Sequence, residues 1–369
     1  MARVWDVPVQ DSTRVRDTRV AVEEAAALAG LDEPRTSAAA LVATELATNL
    51  LRHGGGGRLL VEAVAPPTGL EGATAVQTAV QIAAVDHGPG IADVPAVLVD
   101  GFSTAESLGA GLGTCRRLAD DFALHSAPGR GTVALARIGG GARGSVGGAQ
   151  ARGTRADGVR AAGASACGAR AGGVNVPFAG AEHSGDLWTF VRAGDRLTLM
   201  LADGLGHGPA AAHASTAAAE ELRRLAHLSP ADVLRRLDGA LRGTRGAAVA
   251  VAQLDTRAGL LRFAGIGNTG ARLYEGGAWR PLLSRPGIVG VHRPSTVPET
   301  EARWAADRLL ILHTDGLPSR WVPPSDPALL TADPAVTAAV TVRDASSPAR
   351  PVRDDTAVAV LTPDPPDLP

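Results

Sequence analysis

Residues 182–208 read EHSGDLWTFVRAGDRLTLMLADGLGHG. Two apolar segments, LWTFV and RLTLMLA, flank Arg192-Ala193-Gly194-Asp195, which outlines a β-hairpin. Asp186 precedes the first strand and Asp203 ends the second, so antiparallel pairing brings both carboxylates to one edge of a sheet. Clustered carboxylates repel unless they share a proton or bind a divalent cation. The Gly-Leu-Gly-His-Gly run after Asp203 favours the cation, because glycines let the backbone turn and present the carbonyl of Gly204 beside the carboxylate. Such an oxygen-rich site suits Mg²⁺ or Mn²⁺.

A binuclear site needs further carboxylates at strand ends. ADRLLILHTDGL supplies Asp315 and RDDTAVAVL supplies Asp354-Asp355. With these, the ordered set SGD, ADGLGHGPAAAHAS, LRGTRGAAVAVAQLD, FAGIGNTGARL, RPGIVG, LHTDGL and RDDTAVAVL covers nearly all of residues 174–362. This segment resembles the SpoIIE/RsbX branch of the type 2C metal-dependent serine/threonine phosphatases. The resemblance implies two Mn²⁺ or Mg²⁺ ions held by Asp186, Asp203, Gly204 through its carbonyl, Asp315 and Asp354. Family members show DDxT where this chain has Asp354-Asp355-Thr356-Ala357, and the alignment favours Asp354 over Asp355. His207 receives no role, and His183 and His313 are read as structural.

A chain of 369 residues accommodates two ordinary domains. The formal net charge of −2 argues against nucleic acid or a membrane surface as the main partner. The two cysteines, Cys115 and Cys167, have no metal-ligand spacing. The N-terminus MARVWDVPVQDSTRVRD lacks a leader pattern and no apolar run approaches a membrane span, so a cytoplasmic protein is expected.

Residues 12–30 read as an amphipathic helix with Val15, Arg19, Val22, Ala26 and Ala29 on one side and Gly30 as its stop. A second helix runs from Glu33-Pro34 to His53, with Leu41, Val42, Leu46, Leu50 and Leu51 as its core face. On it Glu45 and Asn49 are four residues apart and share a face. That pair can be an exposed polar stripe, or a carboxylate that activates a hydroxyl beside an amide-held Mg²⁺. After strands at 58–65 and 74–85 comes VDHGPGI: Asp86 can accept from an adenine amine, and Gly88 and Gly90 permit close approach of the base. Residues 101–121, GFSTAESLGAGLGTCRRLADD, lead through Gly109, Gly111 and Gly113 into a helix, a pattern that leaves N–H groups free for phosphate. ALHSA and GTVALARI close the unit.

ELATN, DHGPG and SLGAGLGTCRRLADDF stand in the order of the N, G1 and G2 boxes of the GHKL ATPases, and residues 8–138 resemble the RsbT/RsbW type of bacterial serine kinase. That resemblance implies ATP with Mg²⁺ as cofactor, Glu45 as base, Asn49 as Mg²⁺ ligand, Asp86 as adenine anchor, and Gly109, Gly111 and Gly113 as the phosphate loop. It also implies STAS-domain antagonist phosphoproteins, RsbS/RsbR-like, as partners of a stressosome-type switch, with a regulatory phosphatase or sigma-pathway protein as a further partner. Two alternatives stay open: an ATP-binding module without kinase activity, and an anti-sigma module.

The expected fold class is α+β: a GHKL (Bergerat) α/β sandwich over 1–138 and a type 2C α-β-β-α sandwich over 174–362. Residues 139–173 hold 12 glycines among 35 residues and read as a flexible linker that leaves the two domains without a fixed interface. In the second domain, helices are expected at 208–228 and 229–243, and strands at 246–254, 259–266, 270–275, 308–313 and 356–361. Residues 363–369 read as a disordered tail.

Overall fold

The computed structural model describes residues 3–65, 78–97, 111–139, 168–347 and 349–365. Its first unit begins with β1 (Val4–Val9), α1 (Arg14–Ala29) and α2 (Glu33–His53), and continues through β2 (Gly57–Val64), β3 (Ala79–Val85), the short α3 (Val94–Val97), α4 (Gly111–Leu118), β4 (Asp121–Ala127) and β5 (Gly131–Gly139). The five strands form one antiparallel sheet in the order β1-β2-β3-β5-β4. Gly30 stops α1 in a left-handed conformation at φ 70°, and Asp32 caps α2 by accepting from the Arg35 N–H. Val22, Ala26, Val42, Leu46 and Leu50 pack on one face of the sheet with Leu59, Val61, Val80 and Ile82. Leu41, expected in that core, is 44 % exposed, because its position on α2 falls outside the buried stripe.

The second unit contains β6 (Ala169–Val176), β7 (Asp186–Ala193), β8 (Arg196–Gly204), α5 (Pro209–Leu225), α6 (Pro230–Ala240), β9 (Ala247–Asp255), β10 (Leu260–Ile266), β11 (Gly270–Glu275), β12 (Ala278–Leu282), β13 (Thr300–Arg303), β14 (Leu309–His313), α7 (Pro334–Ala345) and β15 (Thr356–Pro363). Two antiparallel sheets, β13-β10-β9-β8-β7 and β12-β11-β14-β15-β6, pack face to face. Leu197, Leu199, Leu201, Ala250 and Phe263 from one sheet meet Leu273, Leu310, Leu312, Ala359 and Leu361 from the other. Helices α5 and α6 cover the outer face of the first. The chain is therefore α+β, with a sandwich of two sheets in its second half.

Residues 169–173, expected in the linker, instead form the start of β6. They pair with β15 from Ala169↔Pro363 to Gly173↔Ala359, which also draws Pro363 out of the expected tail. Gly173 has a packing reason to be glycine: a Cβ there would stand 2.5 Å from the Val358 carbonyl oxygen and 2.8 Å from the Trp188 ring. The remainder of the expected linker, 140–167, and Cys167 with it, lie outside the described residues, as do 366–369 of the expected tail.

The expectation of independent domains fails on α7. Pro334 to Arg343 are all buried, so the helix has no solvent face. One side packs on β6 and β15, and the other covers the second face of the N-terminal sheet. One apolar cluster joins Leu60, Val85, Val133 and Leu135 to Val176, Ile311, Val336 and Val360. Polar contacts lock the seam. Arg137 of β5, 2 % exposed, makes a bidentate ion pair with Asp333 at 2.7 and 2.8 Å, and Asp333 also caps α7 through the Ala335 N–H. Among the described residues no helix is long and apolar enough to cross a membrane.

Breaking a buried ion pair from one side leaves the partner's charge desolvated. Arg137→Ala should lower unfolding free energy by about 3–5 kcal/mol, read by urea denaturation. In the wild type, tryptophan fluorescence and far-UV circular dichroism should report one coincident transition, whereas independently folding domains would give two.

Candidate metal and nucleotide sites

The β7–β8 hairpin turns through Gly194-Asp195, with Ala193 opposite Arg196, and its register sets Asp186 directly opposite Asp203. Asp315 follows β14, and Asp354-Asp355 immediately precede β15, the strand paired with it. All five aspartates line one cavity of about 580 Å³, together with His207, Asn268 and Ser284. Gly204 ends β8 and is not part of the lining. A Cβ at Gly204 would meet the Ala211 carbonyl oxygen at 2.1 Å, so glycine there lets α5 pack beneath the hairpin end.

Asp186 is 3 % exposed and its Oδ2 has no hydrogen-bond partner. Burial first, then the facing Asp203, raises its carboxyl well above the ordinary range, against a lowering hydrogen bond from Thr314. Asp203 is pushed up to about 7 by burial and then by Asp315, Asp354 and Asp355. Asp315 Oδ2 accepts a 2.6 Å hydrogen bond from Asn268 Nδ2. The sequence reading missed Asn268, although it sits in the quoted GIGNTG run.

The two aspartates before β15 differ sharply. Asp355 is buried, and its oxygens accept from the backbone N–H groups of Phe178 and Gly185, both at 2.7 Å. Asp354 is exposed, and its Oδ1 accepts only the local Asp355 N–H, at 2.8 Å. Asp355 thus ties the strand start to the loop before β7, while Asp354 keeps acceptor capacity toward the cavity.

Among the described residues no three histidine, cysteine, aspartate or glutamate side chains stand close enough together to grip one ion as they are. The chemistry of the set nevertheless fits a hard cation: all-oxygen donors, an orphaned buried carboxylate oxygen, and mutual repulsion that a divalent charge relieves. His313, lowered by burial and edge-on to Trp321, is a packed neutral ring.

In the N-terminal unit Glu45 and Asn49 lie on α2, and the Asn49 Nδ2 is buried without a hydrogen-bond partner. Asp86 is buried at the end of β3, and its Oδ1 accepts from the Gly88 and Thr132 N–H groups at 2.8 and 3.1 Å. Gly88 and Gly90 are required by chain packing. A Cβ at Gly88 would meet Gly54 Cα at 2.8 Å, and one at Gly90, where φ is +73°, would meet the Ala127 carbonyl oxygen at 2.2 Å. Gly111 and Gly113 stand inside the first turn of α4, not before it, with Gly111 beside the Asn49 amide. Gly109 lies outside the described residues.

Residues 9–137 match the family model of the histidine kinase-like ATPase domain, and residues 193–363 match that of stage II sporulation protein E. The serine/threonine-protein kinase RsbT of Bacillus subtilis is 44 % identical over 89 residues, which are 24 % of this chain and 61 % of that protein. The match therefore spans about three-fifths of the relative's length. A structure of RsbX in complex with magnesium aligns at 21 % identity over 53 % of this chain and 96 % of its own, with a TM-score of 0.45. A chain from a bacterial stressosome structure aligns at 26 % identity over 52 % of this chain and 98 % of its own, with a TM-score of 0.47.

The raised carboxyls fix the pH dependence of the metal-free protein. Asp203 binds its proton more tightly folded than unfolded, so stability falls as pH rises from about 4 to about 7, between the ordinary value and the folded one. With chelator present, melting temperature should rise on acidification from pH 7.5 to 5.5. Asp203→Asn at pH 7.5 should stabilise the metal-free protein by about 1 kcal/mol or more, measured by differential scanning fluorimetry.

Proposed function

From a chain that joins a histidine kinase-like ATPase domain to a SpoIIE phosphatase domain, we propose a metal-dependent phosphoserine/phosphothreonine protein phosphatase under an ATP-binding switch domain. The observation that carries this reading is the direct cross-strand pairing of Asp186 with Asp203, with Asp315 and Asp354 on the same cavity. Asp186, Asp203, Asp315 and Asp354 would hold two Mn²⁺ or Mg²⁺ ions, with the Gly204 carbonyl beside them. When bound, the ions supply an acidified water and neutralise phosphoryl charge. The protein's own work is positional. Asn268 fixes the rotamer of Asp315, Asp355 anchors the loop before β7, and the open cavity admits a phosphorylated side chain. Attack of water at phosphorus with loss of the serine or threonine oxygen returns the hydroxyl and inorganic phosphate.

In the first domain Asn49 would hold Mg²⁺, Asp86 the adenine amine, Gly88 and Gly90 the base, and Gly109, Gly111 and Gly113 the phosphates of ATP. Glu45 would deprotonate the accepting serine hydroxyl. The likeness to RsbT points to STAS-domain antagonist proteins, RsbS/RsbR-like, as the shared substrate in the cytoplasm, phosphorylated by one half and dephosphorylated by the other. The fixed seam along α7 favours a second reading, in which the nucleotide domain binds ATP or a regulatory partner and governs the phosphatase without transferring phosphate.

Manganese-dependent hydrolysis of p-nitrophenyl phosphate should disappear with chelator and fall at least about 100-fold in Asp203→Ala. Hydrolysis that survives chelator in the wild type and persists in Asp203→Ala would sink the phosphatase reading. Glu45→Ala should keep ATP affinity and abolish phosphoryl transfer to a STAS protein. If the wild type binds ATP and transfers nothing to such proteins, the regulatory reading replaces the kinase one.

A further inference from the structure

Strand β6 is the edge of its sheet, beyond β15, and an edge strand needs partners for its outward N–H and C=O groups. Two of these groups, on alternate residues, face side chains of the N-terminal sheet. Gln81 of β3, 1 % exposed, donates from Nε2 to the Gly173 carbonyl at 2.9 Å. The Asn175 backbone N–H faces Glu62 of β2, 7 % exposed, and lowers its carboxyl. Glu62 then reaches further: its Oε2 accepts from Trp188 Nε1 at 3.2 Å and its Oε1 from Gln81 Nε2 at 3.0 Å. Gln81 Oε1 accepts in turn from Arg137 at 2.9 Å, and Arg137 is held by Asp333.

The two residues that Glu62 faces on the far side of the seam flank Asp186. The Asn175 side chain, 3 % exposed, donates from Nδ2 to the Asp186 carbonyl at 2.7 Å. Trp188 is two residues along β7 on the same strand face as Asp186. Asp186 is therefore held by its backbone through Asn175 and by its strand through Trp188, and one carboxyl from the other domain bonds the Trp188 indole and faces the Asn175 N–H.

We infer that Glu62, with Gln81 behind it, is a positioning residue for Asp186, so that the nucleotide-binding domain supplies part of the framework that shapes the phosphatase metal site. This rests on the reading of Asp186 as a metal ligand. It adds a role to a residue in the domain that carries none of the metal aspartates. A second, independent feature supports it. The cavity of about 260 Å³ at this junction is lined by Glu62, Asn175 and Trp188, and Asn175 Oδ1 there has no partner, so the amide is oriented by its single bond to Asp186. Burial pushes the Glu62 carboxyl up to about 8, against lowering contacts from Trp188 and Gln81, and a glutamine there keeps one acceptor oxygen for Trp188 while its amide N–H₂ opposes Gln81 Nε2.

The test uses the full chain. Manganese affinity is measured by isothermal titration calorimetry at a temperature where circular dichroism shows every variant folded, alongside ATP affinity and the manganese activation of p-nitrophenyl phosphate hydrolysis. Glu62→Leu should weaken manganese binding about tenfold, the low end for residues that orient a metal ligand, with ATP affinity unchanged and kcat at saturating manganese within about twofold of wild type. Glu62→Gln, which keeps an acceptor for Trp188 but not for Gln81, should bind manganese more tightly than Glu62→Leu. A merely structural Glu62 would lower melting temperature and leave manganese affinity where it was, and that result overturns the inference. Should Glu62→Leu fail to fold, Trp188→Phe, which removes the indole N–H with its five-membered ring and keeps an aromatic side chain, decides: an affinity loss of about threefold supports the proposal, and an unchanged affinity overturns it. A wild type that binds no manganese removes the metal reading itself and the inference with it. A wild type that binds manganese beside an indifferent Glu62→Leu removes the inference alone.

Discussion

Two carboxylates face each other across one rung of an antiparallel ladder, and much of the second domain is arranged so that they stay there. Like charges directly opposite on a sheet are unfavourable, and burial deepens the cost by removing the water that would screen them. The Asp186–Asp203 rung survives because neither strand can slip. Strand β8 lies between β7 and β9. Gly185 and Gly204 let Ala211 of α5 close against the hairpin end with no room for a Cβ at Gly204. Asp355 clamps the Gly185 N–H, and Asn175 clamps the Asp186 carbonyl. The resulting repulsion is a strain of electrostatic kind, stored by packing and relieved by a cation or a proton. That is why the same residues should lower stability and confer metal affinity.

The sequence announced this rung plainly, because a hairpin with an aspartate at each end and a short glycine turn has one natural register. The order of the other carboxylates was equally readable, since each follows or precedes an apolar strand. Asp354 and Asp355 could not be separated that way: adjacent residues share a spacing, and only the tertiary partners Phe178 and Gly185 tell the anchor from the open carboxylate. Asn268 was hidden in a motif whose glycines drew the eye.

Elements whose local signal was weak were the ones that went unread. ARAGG at 169–173 looks like linker because its glycines answer to neighbours distant in sequence, Val358 and Trp188 at Gly173, and not to chain flexibility. Helix α7, PAVTAAVTVRDA, carries five β-branched residues and is buried all round, so it offers neither strong helix propensity nor an amphipathic period. Its existence depends on two sheets to cover it. The short edge strands β1, β12 and β13 likewise depend on their partners more than on their own composition.

That burial of α7 changes how the two domains relate. A linker permits independence only if the surfaces it joins are themselves satisfied, and the second face of the N-terminal sheet is not: Leu60, Ala83, Val85, Val133 and Leu135 need a cover, and α7 provides it. The polar rim follows the same line. His87, next to Asp86, bonds through Nε2 with the Arg343 carbonyl at 2.9 Å, while Arg343 reaches the Gly131 carbonyl at 3.3 Å and Arg130 pairs with Asp344 at 3.1 Å. The turn that carries Asp86 and the end of α7 are thus one packed body, and α7 leads within ten residues of its last turn to Asp354. Sliding one sheet against the helix would expose apolar surface and unpair Arg137 from Asp333 together, two costs of several kcal/mol each. The turn that carries Asp86 and the strands that adjoin Asp315 and Asp354 therefore pack against one shared helix, so a displacement at one end presses on the other.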